Sequence, residues 1–223
     1  MRTLLLFSFA MIFSGTTKAQ VGSAADFANF ARYADANKEI MGKQNGIVLL
    51  GNSITDFWAT QDPKFFKENG LIGRGISGQT STQLLLRFRA DVVELKPEAV
   101  VIHIGTNDVA ENTGPYSEEQ TVNNIASMVD IAMANDIKVF IATVVPSTTF
   151  NWRKELGNRS AMIVSLNKQL LQLAKDKGVG VVDYHAALRN DEDGMDAELA
   201  EDGVHPTPKG YQVMGATLMD AIK

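Results

Sequence analysis

Short continuous apolar runs alternate along this chain with longer segments in which apolar residues recur every three or four positions. Ile47-Val48-Leu49-Leu50, ending at Gly51, is the first such run, and others fall at 71–76, 99–104, 139–145 and 179–182. Runs of this length bounded by turn signals read as strands buried on both faces. Between them, residues 80–95, 117–135 and 159–177 carry the helical spacing, and 208–222 supplies a last helix. Ser117 with Gln120 three residues later resembles a capping box opening its helix. Residues 26–43, with Phe27, Phe30, Tyr33 and Ile40 at near-helical spacing, predict one amphipathic helix ahead of the first strand.

Buried strands alternating with helices predict a three-layer α/β/α domain around a parallel sheet of roughly five strands, flavodoxin-like in type. Ligands of such sheets bind beyond the carboxyl ends of the strands. The loops beginning at Gly51, Ser77, Gly105, Pro146 and Asp183 are therefore where chemistry is to be sought.

The extreme N-terminus departs from this rhythm. Arg2, an apolar run over residues 4–13 and the small residues around Ala19 form the pattern of a secretory signal peptide cleaved after Ala19. A membrane anchor needs about 20 apolar residues, twice the length of this run. The expected organisation is thus a signal peptide over 1–19 and a single domain over 20–223, with no membrane association after cleavage and a secreted or periplasmic destination. The absence of cysteine excludes a lipid-modified cysteine, disulfides and cysteine-ligated metals. Loss of residues 1–19 removes Arg2 and Lys18 and no acid, taking the net charge from -5 to -7. Such an acidic chain lacks the basic face that nucleic-acid binding requires.

Four loops carry candidate chemistry. Gly51-Asn52-Ser53 puts a serine directly after a strand and at a helix start, where its own N–H can point at an anion. Ser53 reads equally well as a helix cap, and Thr55 stands where a lipase nucleophile elbow has its second glycine. Ser77-Gly78-Gln79-Thr80 offers a backbone N–H without a Cβ in the way, although an ordinary strand-to-helix turn looks the same. Gly105-Thr106-Asn107-Asp108 offers the Asn107 amide as an oxyanion donor, or else an Asx turn. In Asp202-Gly203-Val204-His205-Pro206, an aspartate three residues before a histidine can hold the imidazole in one tautomer and stabilise its protonated form.

Each element alone is weak, but the set supplies nucleophile, base, orienter and oxyanion donors. In order and spacing it resembles the SGNH hydrolases, also called the GDSL esterase family, whose blocks centre on a serine, a glycine, an asparagine and a histidine. Those centres map to Ser53, Gly78, Asn107 and His205 with Asp202, and Asn52 replaces the aspartate of the namesake motif. The resemblance implies Ser53, Asp202 and His205 as catalytic residues and an oxyanion hole of the Ser53 N–H, the Gly78 N–H and the Asn107 side chain. It implies a serine esterase acting through an acyl-enzyme, without cofactor or metal, on a small-molecule or glycan ester. The Asn-variant first block followed by Gly75-Ile76-Ser77-Gly78-Gln79-Thr80 looks most like acetylhydrolases and acetylxylan-type esterases, so O-acetyl groups on carbohydrate are the expected substrate. Longer acyl chains, as for a lysophospholipase or thioesterase, acyl transfer to a sugar, and a non-catalytic carbohydrate-binding module are the alternatives.

Among the remaining residues, Trp58, Trp152 and Arg153 are candidate substrate contacts, with Phe57 beside them. His103, inside an apolar strand, reads as a core histidine, and His185, at another strand end, as a reserve base. The scattered histidines make no metal-ligand spacing, and Asp191-Glu192-Asp193 reads as a solvated loop.

Overall fold

The computed structural model describes residues 26–42 and 46–223. The reading of residues 1–19 as a signal peptide therefore lies outside the described residues. Five strands form one sheet: β1 (Ile47–Gly51), β2 (Leu71–Gly75), β3 (Ala99–His103), β4 (Lys138–Ala142) and β5 (Gly180–Val182). Their order is β2-β1-β3-β4-β5, and every adjacent pair is parallel. The predicted architecture is the one observed.

Side chains alternate along each strand, so continuous apolar runs feed two cores. Val48, Leu50, Val100, Ile102, Val139 and Ile141 pack on one face with Leu84, Phe88, Ile125, Val129 and Leu166. Those partners come from α4 (Ser81–Asp91), α6 (Glu118–Met133) and α7 (Ser160–Lys177). Leu49, Val101, Phe140 and Ala142 pack on the other face with Ile54, Trp58, Phe66, Tyr184 and Tyr211. Their helices are α2 (Ser53–Gln61), α3 (Pro63–Glu68), α8 (Tyr184–Leu188) and α9 (Pro208–Ala221). The two short remaining helices are α1 (Ala34–Ile40) and α5 (Thr106–Val109). No helix among the described residues is long and apolar enough to cross a membrane.

Three expectations change in detail. The helix predicted over 26–43 is broken: Asn29 takes a left-handed conformation, a 3-10 turn covers Phe30–Arg32, and only Ala34–Ile40 is α-helical. The Asp26 carboxylate, accepting from the Phe30 N–H at 2.9 Å, stabilises this tighter start. The run predicted over 139–145 leaves the sheet after Ala142 because the Asn167 amide takes both backbone groups of Val144, at 2.7 and 2.9 Å. Ser117 does cap α6, accepting from the Gln120 N–H at 3.3 Å. The return bond of a capping box is seen instead at Thr80, whose N–H donates to the Gln83 side chain at 3.1 Å.

The strands end level with one another. Gly51 pairs in register with Gly75 on one side and with His103 on the other, so the loops after β1, β2 and β3 leave the same edge side by side. Close packing there depends on Gly75: a Cβ at this position would lie 2.2 Å from the Asp56 nitrogen and 2.7 Å from the Asn52 carbonyl oxygen. Both are backbone atoms at the start of α2 and cannot swing aside. Gly75→Ala is expected to cost about 3 kcal/mol by overpacking, lowering the thermal midpoint by about 6–12 °C for a chain of this size. A thermal denaturation curve superimposing on that of the parent would contradict the close approach.

Candidate active site

β1 ends at Gly51, and the chain turns directly into α2. Asn52 caps this helix, its side-chain oxygen accepting from the Ile54 N–H at 3.1 Å. The first helical residue is Ser53, which is 8% exposed. Asparagine is as good a cap as aspartate, so the departure from the namesake motif leaves the turn intact.

The partner of Ser53 comes from far along the chain. His205 Nε2 lies 2.8 Å from Ser53 Oγ, and His205 Nδ1 lies 2.7 Å from Asp202 Oδ2. The other Asp202 oxygen accepts from the backbone N–H groups of Val204 and His205 at 2.9 and 2.7 Å. Burial pushes the Asp202 carboxyl up, but the hydrogen bonds from the His205 ring, the two N–H groups and the His205 charge outweigh it, holding it down at about 2. Asp202 is thus ionised through the neutral range and fixes the ring from below the turn.

Two features secure that turn. Ser147 Oγ, in the loop after β4, donates to the Gly203 carbonyl at 2.6 Å, and the Asn151 amide donates to the Asp202 carbonyl at 3.3 Å. On the far side, Thr207 caps α9 and Pro208 occupies its first turn. Tyr211 of α9 then donates to the Ile54 carbonyl at 2.9 Å, joining the helix after His205 to the helix that begins at Ser53.

After β2, the Gln79 N–H donates to the Ile76 carbonyl at 3.3 Å and Gly78 has φ +82°. This is the positive φ that the third residue of a type II turn requires, and glycine adopts it without steric cost. After β3, the Asn107 amide donates to the Gln79 carbonyl at 2.9 Å from a position only 2% exposed. The Ser53, Gly78 and Asn107 segments therefore share one sheet edge, with the last two hydrogen-bonded through adjacent residues.

A GDSL-like lipase/acylhydrolase family model matches residues 49–213. The chain belongs to this family. A solved structure of a GDSL-like lipase from Bacteroides thetaiotaomicron is 46% identical, covering 87% of this chain and 97% of that one, with a TM-score of 0.84. A second structure, from Bacteroides fragilis, is 44% identical over 88% of this chain and 97% of that one, with a TM-score of 0.85. An acetylxylan esterase of Xylanibacter ruminicola is 25% identical over 89% of this chain, and the match spans 46% of that relative's length.

Within this GDSL-family site, the expected substrate contacts part company. Trp58 is not at the surface but 2% exposed, stacked at 5.5 Å on Tyr211 and at 5.3 Å on Phe65. The expectation that it touches substrate is corrected: it packs α2 against α9. Trp152 is 39% exposed and its ring lies 6.1 Å from the His205 ring. Arg153 is committed to protein, donating to the Ala110 and Glu111 carbonyls at 3.0 and 2.6 Å and pairing with Glu155 at 2.6 Å. Its side chain is still 28% exposed, and these bonds fasten the loop that carries Trp152.

His103 is buried against the edge of Tyr184, and burial pushes its imidazole down to about 4, so it is neutral. His185 lines a separate groove of about 530 Å³ with Thr143, Asn167 and Lys168, which includes neither Ser53 nor Asn107.

Three contributors escaped the sequence reading. Asp56, one turn after Ser53, accepts from the Ser77 hydroxyl at 2.9 Å and so ties α2 to the Gly78 turn. Asp108 accepts from the Ser81 N–H and hydroxyl at 3.0 and 2.5 Å, and burial lifts its carboxyl to about 6 despite those bonds. Arg87 is fully buried and donates at 3.0 Å to the Gly51 carbonyl and at 2.7 Å to the Gln79 side chain. Its one visible signal was an arginine on an apolar helix face with Asp91 four residues on.

Because the folded-state pKa of Asp202 is depressed to about 2, its contribution to stability is present above the ordinary carboxylate value and lost as pH falls through the folded one. Asp202→Asn is therefore expected to be less stable than the parent at neutral pH by a constant margin down to about pH 5, narrowing from there towards pH 2. Urea unfolding at a series of pH values measures this; a margin that stays flat or widens on acidification would contradict it.

Proposed function

We propose that the protein is a carboxylic ester hydrolase that removes short acyl groups, O-acetyl in particular, from carbohydrate through an acyl-enzyme on Ser53. The observation that carries this reading is the chain of hydrogen bonds from Ser53 through His205 to Asp202, at 2.8 and 2.7 Å. His205 Nε2 takes the Ser53 hydroxyl proton as Oγ bonds to the ester carbonyl carbon. The carbonyl electron pair moves to oxygen, where the Ser53 N–H, the Gly78 N–H and the Asn107 amide receive the charge. Collapse breaks the bond to the alcohol, which leaves with the proton from Nε2. Water repeats the sequence, releasing acetate and restoring Ser53.

The openness of the site favours a small acyl group on a large alcohol. The His205 side chain is 24% exposed and that of Asp202 39% exposed, whereas a long acyl chain needs an enclosed apolar channel. The acetylxylan esterase among the relatives points the same way. Such a substrate lies outside the cell, in keeping with residues 1–19 acting as a signal peptide and with a secreted or periplasmic location.

Ser53→Ala is expected to lower turnover of p-nitrophenyl acetate by about 10⁴-fold or more, with the thermal midpoint within a few degrees of the parent. Asn107→Ala should lower it by about 10²- to 10³-fold. A fluorophosphonate should label Ser53; folded protein that stays unlabelled would point to a carbohydrate-binding module instead. Across p-nitrophenyl esters from C2 to C12, activity should peak at C2; a peak at C8 or beyond would replace the acetylesterase reading with the long-chain one.

A further inference from the structure

The leaving alcohol must touch the imidazole, because it collects its proton from His205 Nε2. Whatever surrounds His205 on the solvent side therefore meets the alcohol half of the ester. Two half-exposed aromatic rings do so: Phe57, 36% exposed, at 5.1 Å between centroids, and Trp152, 39% exposed, at 6.1 Å.

Trp152 is held unusually well for an exposed side chain on a loop. Its indole N–H donates to Asn112 Oδ1 at 2.9 Å, and its ring lies 5.3 Å from the buried ring of Phe150. The loop is pinned beside it, Arg153 donating to two carbonyls and Arg159 pairing with Glu111 at 3.1 Å. Glu111 itself is held at φ +55°, a conformation uncommon outside glycine. An aromatic wall ordered before substrate arrives loses little further entropy on binding.

Asn112 connects this wall to the other half of the site. While its Oδ1 accepts from the Trp152 indole, its Nδ2 donates to the Gly78 carbonyl at 3.1 Å, and its own N–H is bonded to the Asn107 carbonyl at 3.0 Å. One side chain thus spans the indole beside His205 and the turn that presents the Gly78 N–H.

We propose that Phe57 and Trp152 form the subsite for the leaving alcohol, that the alcohol is a pyranose ring, and that Asn112 is a positioning residue setting this subsite against the Gly78 turn. The proposal rests on the esterase reading of Ser53 and His205. A pyranose offers weakly positive C–H groups to the negative faces of aromatic rings while its hydroxyls stay in water. A small aliphatic alcohol gains nothing comparable from the rings.

The test compares ethyl acetate with a mono-O-acetylated methyl xylopyranoside, two esters that give the same acetyl-enzyme and differ only in the alcohol. The readout is the ratio of their kcat/KM values, which cancels any general damage to Ser53 or His205. Trp152→Ala and Phe57→Ala are each expected to lower the pyranoside-to-ethyl ratio by about tenfold, chiefly through KM for the pyranoside. Trp152→Phe, which keeps a ring and loses the N–H, should retain more of the ratio than Trp152→Ala.

Asn112→Asp keeps an acceptor for the indole but sets a carboxylate oxygen against the Gly78 carbonyl. It should lower kcat about tenfold on both esters and leave the ratio near the parent value. Asn112→Ala should lose both kcat and ratio. A parent-like ratio in both aromatic-to-alanine variants overturns the alcohol subsite, and a parent-like kcat in Asn112→Asp overturns the positioning role. Wild-type protein that cleaves neither ester overturns the esterase reading beneath both, whereas cleavage of ethyl acetate with no preference for the pyranoside overturns the subsite alone.

Discussion

The buried guanidinium of Arg87 sits where β1, β2 and the Gly78 turn meet, and its hydrogen bonds end on all three. Its Nη2 donates to the Gly51 and Arg74 carbonyls, its Nε to the Gln79 side chain and its Nη1 to Asp91. Taking such a charge out of water costs several kcal/mol unless every donor is met and an opposite charge is close. Here four of its five N–H groups have partners and Asp91 supplies the opposite charge, and the carbonyls among those partners are the ones that must stay still. Gly51 leads into Ser53, and Gln79, besides receiving Arg87, donates to the Ala28 carbonyl and accepts the Asn107 amide. Asp91 is held in turn by Asn37, which also accepts from Arg74. The segment before β1 is thereby tied to the rear of the site, and the Tyr33 hydroxyl bonds the Gly75 carbonyl.

A second constraint brings in the histidine. Nothing local carries His205 to Ser53; it arrives because α9 packs on α2. Trp58 and Tyr211 stack with an angle of 15° between their planes, and the Tyr211 hydroxyl reaches the Ile54 carbonyl. Apolar contact supplies most of the energy of such packing, and the hydroxyl bond sets its register. The loop after β4 then braces the Asp202–His205 turn from outside through Ser147 and Asn151. The site is thus assembled from strand ends on one side and a helix pair on the other, each rigid for its own reason.

The alternation of apolar runs and helical periods is a local signal, and it sufficed for the strands, the major helices and the parallel character of the sheet. The four motif blocks were legible for the same reason: a residue directly after a buried strand has its place decided by the strand. Departures arose where a distant side chain or a local turn competed with the pattern's own preference. Asn167 draws Val144 out of the sheet, and a left-handed Asn29 interrupts the helical pattern of 26–43.

By itself, then, the sequence determined the layer order, the edge at which chemistry gathers and the residue types available there, since period and turn chemistry depend only on neighbours along the chain. Tertiary structure alone decided the direction in which each side chain is spent. Trp58 and Trp152 are the same residue near the same site, yet one is consumed in joining two helices and the other faces solvent beside His205. Arg153, suited by charge to meet a ligand, has its Nη1 held by the carbonyls of Ala110 and Glu111. Whether an aromatic or a charged group is free to act depends on which partners the fold brings within reach, and those partners lie tens of residues away.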